Sequence, residues 1–242
     1  MKRFLLYELL IVLTLTQGCT KDSGSPSPSN KVKTITTKIT SISYNLLTTN
    51  TLSYDTQDRL VKAQSDSSTS IFTYEDNVIK KDVYEAGQPD QHLYYHLNAM
   101  GLSDSVLDYF GSADTIHWYF HYNTNNQLVQ ENWFVLNGWS AYRDTSFFQY
   151  NSYGDISTVS DTHGGMNTYE YFDTRRPAST ADMLNTGLAP AKNLLKKRTF
   201  TISSQGFSVV SNFTYELDKA GRILSETEDL GYETIVTSYT YY

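Results

Sequence analysis

The sequence predicts an all-β fold, an antiparallel up-and-down meander of about 14–16 strands curled into a barrel or a wrapped half-barrel. Three observations carry this. A short polar bend of the form [DN]-x-x-G, with an aromatic residue or Leu before it and an apolar residue after it, recurs along the chain. A second set of turn signals falls midway between its copies. Tyrosine is in excess, with 20 Tyr beside 11 Phe; its apolar ring and polar tip suit a pleated surface buried at the base and wet at the rim.

The chain opens with a targeting segment. Residues 1–18 read as a lipoprotein signal peptide: Lys2 and Arg3 give a positive start, and Leu9 to Leu15 an apolar run too short to span a bilayer. The sole cysteine, Cys19, follows Gly18, the small residue that such signals need, although Thr16 and Gln17 depart from the usual pattern. Cys19 is therefore expected to carry a lipid, making the membrane its first partner. Residues 19–31, rich in Ser and Pro, form a flexible tether that cannot build a core. A single β domain is expected over 32–242, with Thr34 to Leu52 supplying its first one or two strands.

From Leu52 the repeat sets the strands. Bends are expected at Asp55, Asp76, Asn98, Asn123, Asn151, Asp173 and Asp218. They are spaced by about 21–28 residues with one gap of about 45, and counter-turns such as Gly164-Gly165 and Leu230-Gly231 lie between them. At the clearest copy Asp218 can accept a backbone N–H two residues on, while Gly221 takes the left-handed conformation that closes a type I turn with a bulge. The wide gap is read as a counter-turn at Ser204-Gln205-Gly206 plus a loop insertion at about 177–197, with Pro177, Gly187 and Pro190. Its basic end, Lys192 to Arg198, reads as solvated loop. Open sheets rarely exceed roughly ten strands without curling, and curling removes the edges that template aggregation.

Two copies of the bend carry a resemblance. Tyr54-Asp55 with Arg59-Leu60, and Tyr215 with Asp218 and Gly221-Arg222-Ile223, resemble the YD repeat of RHS-type proteins. In plan, a lipoprotein signal followed by one Tyr-rich meander is similar to a group of Bacteroidota lipoproteins with a porin-like β fold. That resemblance implies a cell-envelope address and a fold. It implies no activity and supplies no catalytic residues.

Chemistry is weakly marked. A net charge of −7 without a clustered basic face excludes nucleic acid as a partner. There is no G-x-S-x-G elbow, and the one cysteine is assigned to lipid, so no enzyme and no cofactor are expected. His92 with His96 and His117 with His121 would share a helix face, but on strands each pair stands roughly 13 Å apart, too far for one metal ion. Trp118, Trp133 and Trp139, with Tyr119, are the candidate ligand-facing aromatics for a glycan or protein ligand. Packing of the β interior is their competing role, because large aromatics are mostly buried. The expected function is a lipid-anchored, non-enzymatic binding or scaffolding domain of the outer membrane or cell envelope. The alternatives are a glycan-binding or glycan-active surface lipoprotein and an integral outer-membrane β-barrel, the last opposed by a C-terminal strand face of Thr234, Val236, Ser238, Thr240 and Tyr242.

Overall fold

At five of its predicted positions the recurring bend folds in one way. In the computed structural model, which describes residues 31–110, 114–137, 140–175 and 191–242, its first side chain accepts the backbone N–H groups two and four residues on. Asn151 Oδ1 takes Tyr153 N at 2.9 Å and Asp155 N at 3.0 Å. Asp55, Asn98, Asn123 and Asp218 do the same. The fourth residue lies at positive φ in each: Asp58, Gly101, Asn126, Gly154 and Gly221. The paired strands slip register beside Tyr54, Leu97, Tyr122, Tyr150 and Leu217. This is the predicted type I turn closed by a bulge.

These bends and their counter-turns produce sixteen strands. The first eight are β1 (Val32–Ser41), β2 (Asn45–Tyr54), β3 (Leu60–Gln64), β4 (Ser68–Glu75), β5 (Val78–Glu85), β6 (Gln88–Leu97), β7 (Ser103–Phe110) and β8 (Asp114–Tyr122). The rest are β9 (Leu128–Asn137), β10 (Ser140–Tyr150), β11 (Ile156–Asp161), β12 (Gly165–Arg175), β13 (Asn193–Ile202), β14 (Phe207–Leu217), β15 (Ile223–Asp229) and β16 (Glu233–Tyr241). Each pairs antiparallel with its sequence neighbours, and β1 pairs with β16 from Val32↔Tyr241 to Ser41↔Glu233, so the sheet closes. Closure leaves no exposed edge.

Alternation divides the wall into two faces. Inward positions carry the buried residues: Leu52, Leu60, Ile79, Leu93, Tyr95, Val106, Phe120, Leu128, Phe213 and Ile223. Most of them lie toward the end made by the Asx bends, where two apolar clusters meet at Phe72. Tyrosine hydroxyls brace that end. Tyr54 donates to Val32 O, Tyr74 to Leu60 O, Tyr122 to Ser103 O, Tyr150 to Leu128 O, Tyr171 to Ile156 O and Tyr241 to Ile223 O, at 2.6–2.9 Å. Each bond runs from the close of one hairpin to the carbonyl at its start, which gives six of the 20 tyrosines a structural role. Burial pushes the Tyr74 and Tyr150 hydroxyls up to about 12, so they stay protonated donors. Arg59 and Arg222 link bend and brace: each donates Nε to the Asp of its own bend at 2.7 Å and lies over the ring of Tyr74 or Tyr241.

Three expectations change. No bend forms at Asp173, because β12 continues through it to Arg175; Arg176 stands where a residue tolerant of positive φ is needed. The insertion is shorter than 177–197, since β13 begins at Asn193, and residues 176–190 lie outside the described ones. Lys196, Lys197 and Arg198 are therefore strand residues rather than solvated loop. Asp155, buried beside the Asn151 bend, fixes the start of that strand by accepting Lys192 N, Asn193 N and Asn193 Nδ2. Cys19, the tether up to residue 30, and Trp139 also lie outside the described residues.

Two substitutions measure the bend and the brace separately. Asn151→Ala removes two hydrogen bonds and should cost roughly 1–2 kcal/mol, and Tyr150→Phe removes one for about 1 kcal/mol. Each kcal/mol should lower Tm by about 2–4 °C in thermal unfolding followed by circular dichroism.

Candidate functional site

The polar groups of the inward face collect toward the opposite end of the barrel, where the counter-turns lie. Gln91 and Asp108 are buried there, with Gln91 Nε2 donating to Asp108 Oδ2 at 2.6 Å. Asp108 Oδ1 has no hydrogen-bond partner among the described residues. Burial pushes the Asp108 carboxyl up to about 7, against the Gln91 hydrogen bond and the charge of Lys81; burial likewise lowers the Lys81 pKa. Glu131 on β9 is also pushed up to about 7, by burial first and then by the charge of Asp144. Further round the wall Arg198 pairs with Glu228 at 2.6 Å.

At the rim of this end the side chains converge. Trp133 of β9 leans on Tyr142 of β10, with centroids 5.1 Å apart. Tyr142 stacks on His163 at 5.3 Å and 22°. His163 sits in the β11–β12 turn, whose shape comes from one more Asx bend: Asp161 Oδ1 accepts His163 N and Gly165 N, both at 2.8 Å. Asp144, one turn of the pleat from Tyr142, accepts Thr145 N at 2.7 Å and also the N–H and hydroxyl of Thr162. Burial works to raise the Asp144 pKa, but these hydrogen bonds and that of His163 outweigh it and hold the carboxyl below its usual range. The rim is thus an aromatic ledge beside ionised carboxylate.

The expected aromatic patch is split by the wall. Trp118 and Trp133 face each other across β8 and β9 on the inward side, where Trp118 packs against the apolar cluster and Trp133 reaches the rim. Tyr119 is on the outer wall, 44% exposed and edge-to-face with Phe134 at 5.9 Å. The four histidines of the two pairs also alternate outward, and His92 Nδ1 meets Asp82 Oδ1 at 2.6 Å. Asp144, Asp161 and His163 escaped the sequence reading. Gly164-Gly165 signals their turn, but nothing local brings it to β10.

The outer wall is polar around much of its circumference. β1 presents Thr34, Thr36, Lys38 and Thr40, and β14 presents Ser208, Asn212, Thr214 and Glu216 about a lone Val210. Thr34 and Thr240 share a hydrogen bond across the closing seam, and Lys197 pairs with Glu170 on the same face. Outward aromatics, Tyr94 with Tyr109, Tyr119 with Phe134, and Phe147, lie on β6–β10 and are interrupted by histidines, and Ile71, Leu136, Met166 and Leu224 are exposed as well.

These features define a closed up-and-down barrel of sixteen strands, apolar and tyrosine-braced at one end and charged at the other. Among solved structures it is similar to a porin-like protein from Bacteroides uniformis, with a TM-score of 0.61 and 19% identity over 87% of this chain and 98% of that one. It is also similar to a porin-like protein from Bacteroides vulgatus, with a TM-score of 0.60 and 12% identity over 88% and 99%. At these identities the likeness establishes the fold. No protein-family model and no curated protein matches the sequence.

The buried acids set a pH dependence. The folded pKa of Asp108, about 7, lies above the unfolded carboxylate value of roughly 3.9, so the folded state holds a proton that the unfolded state has released. Stability from this group is therefore full below the lower value and is lost as pH rises to the upper one. Tm should fall between about pH 5 and pH 7.5, and Asp108→Asn should flatten that slope in thermal melts across the range. An unchanged slope would place the buried charge elsewhere.

Proposed function

We propose that this chain is a cell-envelope β-barrel that binds rather than transforms its ligand, held to a membrane by lipid on Cys19 and not by its strands. The outer wall carries the proposal. On β1, β13 and β14, Thr, Lys, Glu and Asn stand where a lipid-facing barrel needs an apolar band about 25 Å tall, and burying Lys197–Glu170 or Lys80–Glu75 in hydrocarbon would cost several kcal/mol. The entry point of the chain supports it too. Lys31 pairs with Asp58 of the first Asx bend, and its carbonyl accepts Tyr242 N, so the tether joins the apolar end. Residues 19–31 extend at most roughly 45 Å. A lipid there leaves the charged rim facing away from the bilayer.

The rim is the end we assign to the ligand. Trp133 and Tyr142 offer ring faces next to Asp144 and Asp161, an arrangement suited to stacking on a sugar ring while carboxylates accept its hydroxyls. A glycan ligand is therefore the favoured class, with a protein segment as the competitor.

Two measurements test these statements. Cys19→Ala should move the protein from the membrane fraction to the aqueous fraction without detergent; membrane retention after the change would point to strands that span. On a glycan array, Trp133→Ala should lose at least tenfold in any binding signal while Tyr119→Ala on the outer wall does not. The reverse ranking would move the site to the outside.

A further inference from the structure

The carboxylates and imidazole at the rim are arranged for more than bracing a turn. One ligand atom from each of Asp144, Asp161 and His163 lies within 4.8 Å of the others. The backbone and hydroxyl donors of the turn hold each carboxylate through its Oδ1. Asp144 Oδ1 accepts Thr145 N and the Thr162 hydroxyl, and Asp161 Oδ1 accepts His163 N and Gly165 N. The other oxygens are left to the shared space: Asp144 Oδ2 is 3.1 Å from His163 Nδ1. Asp161 Oδ2 occupies ground that any side chain at residue 165 would take, since a Cβ there would sit 2.2 Å from it. Glycine at 165 keeps that oxygen in place.

We propose that Asp144, Asp161 and His163 form a binding site for one divalent cation of the zinc type. Two carboxylate oxygens and an imidazole nitrogen are a donor set that zinc accepts, with water completing a tetrahedron. Magnesium and calcium prefer oxygen throughout, so the imidazole selects against them. Tyr142 holds the imidazole in place: its hydroxyl is 3.1 Å from Nε2 and 3.2 Å from Nδ1, and its ring stacks on the histidine at 22°.

Electrostatics points the same way. Among the described residues no lysine or arginine pairs with Asp144 or Asp161, and Glu131 lies close enough to feel the Asp144 charge. Among the described residues two carboxylates thus share this part of the rim with a single imidazole, and a dication supplies the missing positive charge. His163 is about half exposed, which gives an ion a path from solvent. The site rests on the rim being the binding end of the barrel, and it would place a cation beside the aromatic ledge, where a sugar hydroxyl could complete its shell.

The test uses the full chain in mild detergent, stripped with chelator and titrated calorimetrically with zinc chloride alone. One saturable site per chain is expected, with a rise in Tm on loading. His163→Ala and Asp161→Asn should each weaken uptake at least tenfold, whereas His92→Ala on the outer wall should leave it unchanged. Melts in chelator check that each variant folds, and Asp161→Asn stands in if His163→Ala does not. Absence of saturable uptake, or loss with His92→Ala instead, overturns the site. Because the titration contains no glycan and the array can be run in chelator, failure of the cation site and failure of the glycan assignment are read separately.

Discussion

The barrel depends on one local interaction, the side-chain oxygen of Asp or Asn that gathers two backbone N–H groups at the start of a bend. It satisfies donors that the reversing chain would otherwise leave to water, and it places the positive-φ residue that forms the bulge. The bulge matters beyond the turn. Side chains alternate strictly along a strand, so a slip of one residue would exchange the faces of everything that follows. Fixing the bulge beside Tyr54, Tyr122 and Tyr150 fixes those rings on the inside.

Once inside, the rings act on their own hairpins. A tyrosine at the close of a hairpin reaches the carbonyl at its beginning, so each two-strand unit is tied at the Asx end by side chain as well as by ladder. Phenylalanine could fill the same volume without making the tie. The apolar clusters and the braces around them are concentrated in that half of the barrel. The other half keeps Asp108, Glu131, Asp144 and Arg198 on its inward face, groups that a purely structural wall would exclude because burying them is costly.

That division gives the fold its sense of direction. The chain enters at the braced end, and the charged rim lies at the far end. Threonines and ion pairs stand on the outer wall of β1 and β13, while acids gather on the inward face toward the far end. Fold likeness to porin-like proteins carries the barrel; the difference between a wall facing lipid and one facing water lies in which residues alternate outward.

The sequence by itself determined the meander, because its bends are local: Asp or Asn, two spacers and a residue tolerant of positive φ suffice within five positions. Alternation likewise puts Trp118, Phe120 and Tyr122 on one face, since it needs no partner strand, but that this face turns inward was decided by the closed sheet. Asp173 shows the limit of that reasoning, for without Gly or Asn three residues on the strand continued. Closure was left to tertiary structure, because the seam joins β1 to β16 across the whole chain and no local signal encodes it. So was the rim. Tyr142 and Asp144 belong to one hairpin and Asp161 and His163 to the next turn, and only the register of β10 on β11, with Ser146 opposite Asp161, brings them together. A site assembled across strands depends on pairing, and pairing is a property of the closed sheet.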